Sequence, residues 1–186
     1  MNSFGMKPKF EFSSMGENIY IGENVYFRRP HLIHLGSNIS IDYGVYITTA
    51  AKIGNYVHIG PYVTCIGGEE GTLEMENFSS IAAGARIVCV SDELKGNGLS
   101  GPGLPTEVRD NLVGSKISIC RFSAVGTGAI LLPDTIVSEG SVIGAGSVIS
   151  GTTEPWTVYL GNPGRPIKVR EKGKLIELAE KLERNH

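Results

Sequence analysis

Cysteine is scarce in this sequence and irregularly placed. Cys65, Cys89 and Cys120 are three in number, widely spaced and without a Cys-x-x-Cys pair, which argues against both a disulfide framework and a structural zinc site. The four histidines are too dispersed for the roughly three ligands of a catalytic zinc, so no metal is expected. Neither sign of charge dominates: 17 Lys and Arg face 19 Asp and Glu, the net charge is −2, and no basic run marks a nucleic-acid partner. Long hydrophobic runs are missing as well. No segment approaches the roughly 18 apolar residues of a membrane span, and the opening MNSFGMKPKFEFSS has no apolar stretch of signal-peptide length. These absences lead us to expect a cytoplasmic protein with no membrane span, and 186 residues suit one core.

What the chain does have is a six-residue beat. Leu35, Ile41, Ile47, Ile53, Ile59 and Cys65 keep it, Met75, Ile81 and Ile87 resume it, and Val113, Ile119, Val125, Leu131, Val137, Ile143 and Ile149 carry it on. Four residues after each beat stands a small or β-branched residue, among them Val45, Ala51, Val57, Ala85, Ala129, Thr135 and Ser147. Neither a period of 2 nor one of 3.6 explains this. One aliphatic and one small inward residue per unit suit a parallel β-solenoid in which each short strand is one face of a coil.

With these units, among them "IGNYVH", "IGPYVT", "VGTGAI" and "IGAGSV", the chain resembles the hexapeptide-repeat acyltransferases over about residues 15–170. The resemblance implies an all-β fold, a left-handed parallel β-helix assembled as a homotrimer. We expect residues 1–170 to form this domain, with a loop insertion at 93–112, and residues 171–186 to form a helical tail. In the tail Leu175, Ile176, Leu178, Ala179 and Leu182 have helical spacing. A loop as long as "ELKGNGLSGPGLPTEVRDNL" is more often functional than decorative.

The segment from Gly161 to Lys168, "GNPGRPIK", resembles the Gly-x-Pro-Ala-basic-x-Ile-basic stretch that follows the β-helix in the sugar-acetylating branch, with Gly164 where Ala is usual. The resemblance implies that Arg165 and Lys168 meet the phosphates of acetyl-CoA, the co-substrate, as a bidentate and a point cation respectively. It also places Thr127, Ala145 and Ser150 along the groove for the pantetheine arm, where small corner residues leave backbone accessible. Trp156, the only tryptophan, is open to two roles, packing on adenine or covering the end of the last coil.

Acyl transfer to an alcohol needs a base. In the sugar acetyltransferases that this chain resembles, the base is a histidine just after the strand that leads into the long loop, and the matching residue here is Asp92, in "VCVSDEL". Of the histidines, His186 is terminal and is set aside, and His31 and His34 read as surface residues. His58 remains, at a coil corner different from that of Asp92. One expectation is that His58 and Asp92 meet across a subunit interface, the carboxylate orienting the imidazole. Two others stand beside it: Asp92 is itself the base, or the acceptor is an amine, for which a weaker base suffices. The loop "SDELKGNGLSGPGLPTE" resembles a subgroup of acetyltransferases of surface-polysaccharide synthesis with Ser-Asp-Asp-Tyr-Ser-Gly, and that implies acceptor contacts for Ser91 and Glu93.

The leading expectation is therefore an acetyl-CoA-dependent O-acetyltransferase acting on a sugar or nucleotide-linked sugar. An N-acetyltransferase of a nucleotide-linked amino sugar is the alternative, and a non-catalytic trimeric β-helix scaffold the third reading.

Overall fold

The computed structural model describes residues 10–184, so His186 and the first nine residues lie outside it. Three parallel sheets wrap a single core, and each coil contributes one short strand to each sheet. The first face stacks Ser14–Met15, Ile33–Leu35, Ala50–Ile53, Thr72–Met75, Lys116–Ile119 and Ile136–Val137. The second stacks Ile19–Ile21, Ile39–Ile41, His58–Ile59, Ser80–Ile81, Ala124–Val125, Val142–Ile143 and Thr157–Gly161, and the antiparallel Gly164–Val169 closes it. The third stacks Tyr26–Phe27, Tyr46–Ile47, Thr64–Ile66, Arg86–Val88, Ile130–Leu131 and Val148–Ile149. This is the parallel β-solenoid expected from the repeat, and the left-handed β-helix that the family resemblance implies.

The beat dictates the stacking because each beat residue lies over its counterpart one coil away. Ile41, Ile59, Ile81, Val125 and Ile143 form one such ladder in register, each no more than 1% exposed. Residues four after the beat are also buried, and the hydroxylic ones find partners: Thr135 Oγ1 donates to the Leu132 carbonyl at 2.7 Å, Ser79 Oγ to that of Glu76 at 2.7 Å and Ser141 Oγ to that of Glu154 at 2.6 Å. A hydroxyl so paired is buried without the cost of a lost hydrogen bond. The first face turns charge outward. Glu74 meets Lys116 at 2.9 Å and Lys52 at 3.5 Å, and the Lys116 hydrogen bond, more than any other contact, holds its carboxyl below the usual range.

At the corner between the first and second faces, Tyr56, Phe78, Phe122 and Trp156 all take left-handed backbone, with φ between 54° and 63°. Their rings stack in sequence, with centroids 5.0, 5.5 and 5.8 Å apart. Gly140 fills the step between Phe122 and Trp156 at φ +68°, and a Cβ there would lie 2.4 Å from the indole. The tail helix, Gly173–Glu183, sets Leu175, Ile176 and Ala179 on these rings. Arg121 lies over Phe78 and Phe122, at 5.2 and 4.6 Å from their centroids, and pairs with Glu183 at 2.9 Å. Trp156 is thus a packing residue, 9% exposed beneath the tail, and has no face free for adenine.

One element departs from expectation. Val113 does not start a coil; it pairs antiparallel with Ser91, and the helix resumes at Lys116, with Ile117 and Ile119 aligned on Leu73 and Met75. The six-residue count from Val113 to Ile119 coincides with the beat, but Gly114, at φ +91°, turns the chain between them. The insertion therefore leaves the coil near Val90 and returns near Ser115, so it is rooted wider than 93–112.

Candidate active site

Two excursions share the corner between the third and first faces. The turn Gly67–Gly71 packs against the root of the insertion: a Cβ on Gly67 would come within 2.9 Å of the Val90 amide nitrogen. Between them lies an open pocket of about 350 Å³, lined by Ile66, Gly67, Glu70, Val88, Val90, Ser91, Asp92 and Leu112. Ile66, Val88, Val90 and Leu112 form its apolar wall, and Glu70, Ser91 and Asp92 are its polar groups.

Asp92 is held there by a two-residue antiparallel ladder, Ser91 opposite Val113 and Asp92 opposite Leu112. Among the described residues no hydrogen-bond donor engages its carboxylate, which stays half-buried beside the apolar wall. Ser91 lines the pocket too, its Oγ donating to the Asp92 carbonyl at 3.1 Å. Glu93 does not line the pocket. Its carboxylate accepts from Lys95 at 2.8 Å and Asn111 at 3.3 Å, and these partners, Lys95 above all, hold its pKa below the usual range.

Sequence reasoning missed the residue that fastens the insertion. Asp110, 5% exposed, accepts from the Leu94 amide at 2.6 Å and from the Asn111 amide at 3.0 Å, while its own amide reaches the Leu99 carbonyl at 3.0 Å. The signal for it was the "RDN" at the loop's return, because an aspartate that bonds nearby backbone amides stabilises a turn.

His58 begins a strand of the second face and points outward. Its Nε2 lies 2.8 Å from Asp42 Oδ2, and Ser40 Oγ donates to Asp42 Oδ1 at 3.0 Å. Within one chain, then, the carboxylate that orients His58 is Asp42, and Asp92 stands at another corner. His34 faces outward on the first face, where Ser14 meets its Nδ1 at 3.0 Å.

The proposed donor residues divide. Thr127 and Ala145 occupy equivalent corner positions one coil apart, between the second and third faces, and the Gly146 amide donates to the Thr127 carbonyl at 2.9 Å. Beside them Gly84, Gly128 and Gly146 have open space where a Cβ would be, which leaves a bare backbone groove. Ser150 follows the third-face strand Val148–Ile149 and so sits at the next corner, a whole face away from that groove. Arg165 and Lys168 are exposed on Gly164–Val169, opposite Leu160 and Val158.

No family model matches the chain. Among curated proteins, the dTDP-4-amino-4,6-dideoxy-D-glucose acyltransferase of Escherichia coli is 34% identical over 171 residues, covering 90% of this chain and 86% of that one. The chain belongs to the hexapeptide-repeat acyltransferases. Another member, the galactoside O-acetyltransferase of Escherichia coli, is 26% identical over 159 residues, 84% of this chain and 64% of that one. Among solved structures, a point variant of AntD, an N-acyltransferase from Bacillus cereus, in complex with dTDP and coenzyme A superposes with a TM-score of 0.87 at 30% identity, covering 94% of this chain and 92% of that one. AntD has also been solved with 3-hydroxybutyryl-CoA, and variants of it with dTDP-4-amino-4,6-dideoxyglucose. The first of these relatives and AntD are named for amino-sugar or N-acyl transfer, whereas the galactoside enzyme is named for O-acetylation, the chemistry that the sequence put first.

Proposed function

We propose that this acyltransferase moves an acyl group from an acyl-coenzyme A thioester to the amine of a nucleotide-linked 4-amino sugar, and that it works as a homotrimer. The observation that carries the reading is the carboxylate of Asp92, standing where an O-acetyltransferase of this family would hold an imidazole. The similarity to two enzymes named for amino-sugar or N-acyl transfer supports it.

The bare corner groove of Thr127, Ala145 and their neighbouring glycines fits a pantetheine arm, whose amides need exposed backbone partners, and Arg165 and Lys168 fit its phosphates. The thioester, when bound, supplies an acyl carbon open to attack. A neutral amine is nucleophilic enough to add without full deprotonation beforehand, and its proton must leave as the nitrogen–carbon bond forms and the carbon–sulfur bond breaks. Asp92, its oxygens unclaimed by any donor among the described residues, accepts that proton. Ser91 at its side offers a hydroxyl to the sugar, and the wall of Ile66, Val88, Val90 and Leu112 suits the methyl of a 6-deoxy sugar. Glu93 serves the loop, through Lys95 and Asn111, ahead of the acceptor.

Thiol release from acetyl-CoA and from 3-hydroxybutyryl-CoA tests this against dTDP-linked 4-amino-4,6-dideoxyglucose and its 4-hydroxy counterpart. The amine is expected to win by about a hundredfold or more in kcat/KM. Equal or better turnover of the hydroxyl sugar restores O-acetylation. Coenzyme A binding with no turnover of either points to a scaffold.

A further inference from the structure

Outward residues of the third face stack in one register: Tyr26 on Tyr46, Tyr46 on Thr64, Thr64 on Arg86. The rings of Tyr26 and Tyr46 lie nearly parallel, 13° apart with centroids at 5.2 Å, and stay 49% and 39% exposed. The stacked rings of the first-to-second corner, by contrast, run beneath the tail helix. Arg29 and Arg121 pair with Glu69 and Glu183, whereas Arg86, which shares the third-face register, is one of several arginines without a carboxylate partner among the described residues. Its Nη1 donates to the Tyr62 carbonyl at 3.0 Å, which swings the guanidinium one coil toward the tyrosines and leaves the rest of its donor fork free.

We infer that this row holds the nucleotide half of the acceptor, with the base against Tyr46 and Tyr26 and the phosphates on Arg86. The inference rests on the nucleotide-sugar reading above. Flat exposed rings offer a stacking platform to any base, and an arginine fork pinned at one nitrogen offers paired donors to a phosphate. The path is continuous. Tyr46 and Arg86 are two strand spacings apart, roughly 10 Å, a distance comparable to the reach from a base to its diphosphate. Arg86 shares its strand with Val88, which lines the pocket of Asp92. A molecule stacked on Tyr46 and bridged at Arg86 therefore delivers its sugar to Asp92, while the small-residue groove of Thr127 and Ala145 stays clear for the donor.

Calorimetric titration of the full-length protein with dTDP, UDP and coenzyme A, each alone, tests the placement. We expect wild type to bind a nucleoside diphosphate, and Arg86→Gln and Tyr46→Ala each to weaken it about tenfold or more, with coenzyme A affinity unchanged and Arg86→Lys recovering part of the loss. Tyr46→Leu, which keeps bulk without a phenol, serves if Tyr46→Ala does not fold. Variants that bind the nucleotide like wild type overturn the inference. So do variants whose only defect, by light scattering, is a lost oligomer, because the row is then a packing surface. Wild type that binds neither dTDP nor UDP overturns instead the acceptor reading on which the inference rests.

Discussion

A lone aspartate at the mouth of an acyl-transfer pocket changes what the pocket can acylate. A sugar hydroxyl must lose its proton to become a useful nucleophile, whereas an amine sheds its proton after it has begun to bond, so a carboxylate is base enough. In the function proposed above, the chemistry falls to Asp92, and His58, already paired with Asp42, takes a minor part. Asp92→Asn is expected to lower kcat by about two to four orders of magnitude while leaving coenzyme A affinity unchanged, and His58→Gln to stay within about threefold of wild type. Steady-state kinetics with a nucleotide-linked 4-amino sugar decide it, and the reverse ranking moves the base to His58. The sequence made this residue legible by substitution: Asp92 stood out because a histidine was due. Asp110 escaped notice, since its role depends on the Leu94 and Leu99 backbone returning to it, and nothing in the sequence fixes how a Gly- and Pro-rich loop closes.

At the scale of elements, the six-residue beat carried the fold because period and burial are the same fact in a coil with fixed faces. It misled only at Val113, where a turn at Gly114 happened to preserve the spacing. The corner of stacked aromatics shows the opposite case. Tyr56, Phe78, Phe122 and Trp156 lie 22, 44 and 34 residues apart in sequence, and only the coiling makes them neighbours. Gly140 is the residue this stack can least afford to change, since alanine there meets both a strained φ and the indole ring. Gly140→Ala is expected to lose roughly 2–3 kcal/mol of stability. Because Trp156 is the only tryptophan, its emission reports the same event directly, shifting to the red if the tail lifts from the corner. A variant with unchanged melting and unchanged emission contradicts this account of the tail.

Across the whole molecule, charge and cover are distributed unevenly. The first face carries Lys52, Glu74 and Lys116, and the tail seals its border with the second. The second face and its corner with the third keep Tyr20, Tyr43 and Tyr62 exposed, alongside the Asp42–His58 pair and, on Gly164–Val169, Arg165 and Lys168. Tyrosine is enriched in surfaces that meet other copies, and the exposed Tyr20, Tyr43 and Tyr62 support the homotrimer proposed above. In such an assembly the donor groove of one subunit can face the Asp92 pocket of the next, which would unite sites that a single chain keeps at separate corners.

The most direct test is a crystal structure of the assembled protein with coenzyme A and dTDP-4-amino-4,6-dideoxyglucose bound together. It is predicted to show a trimer with the sugar amine within hydrogen-bond distance of Asp92 and the thiol of coenzyme A in the groove of Thr127 and Ala145, close enough for its acyl carbon to reach that amine. An amine held by His58, or a sugar bound away from the pocket of Asp92, would contradict it.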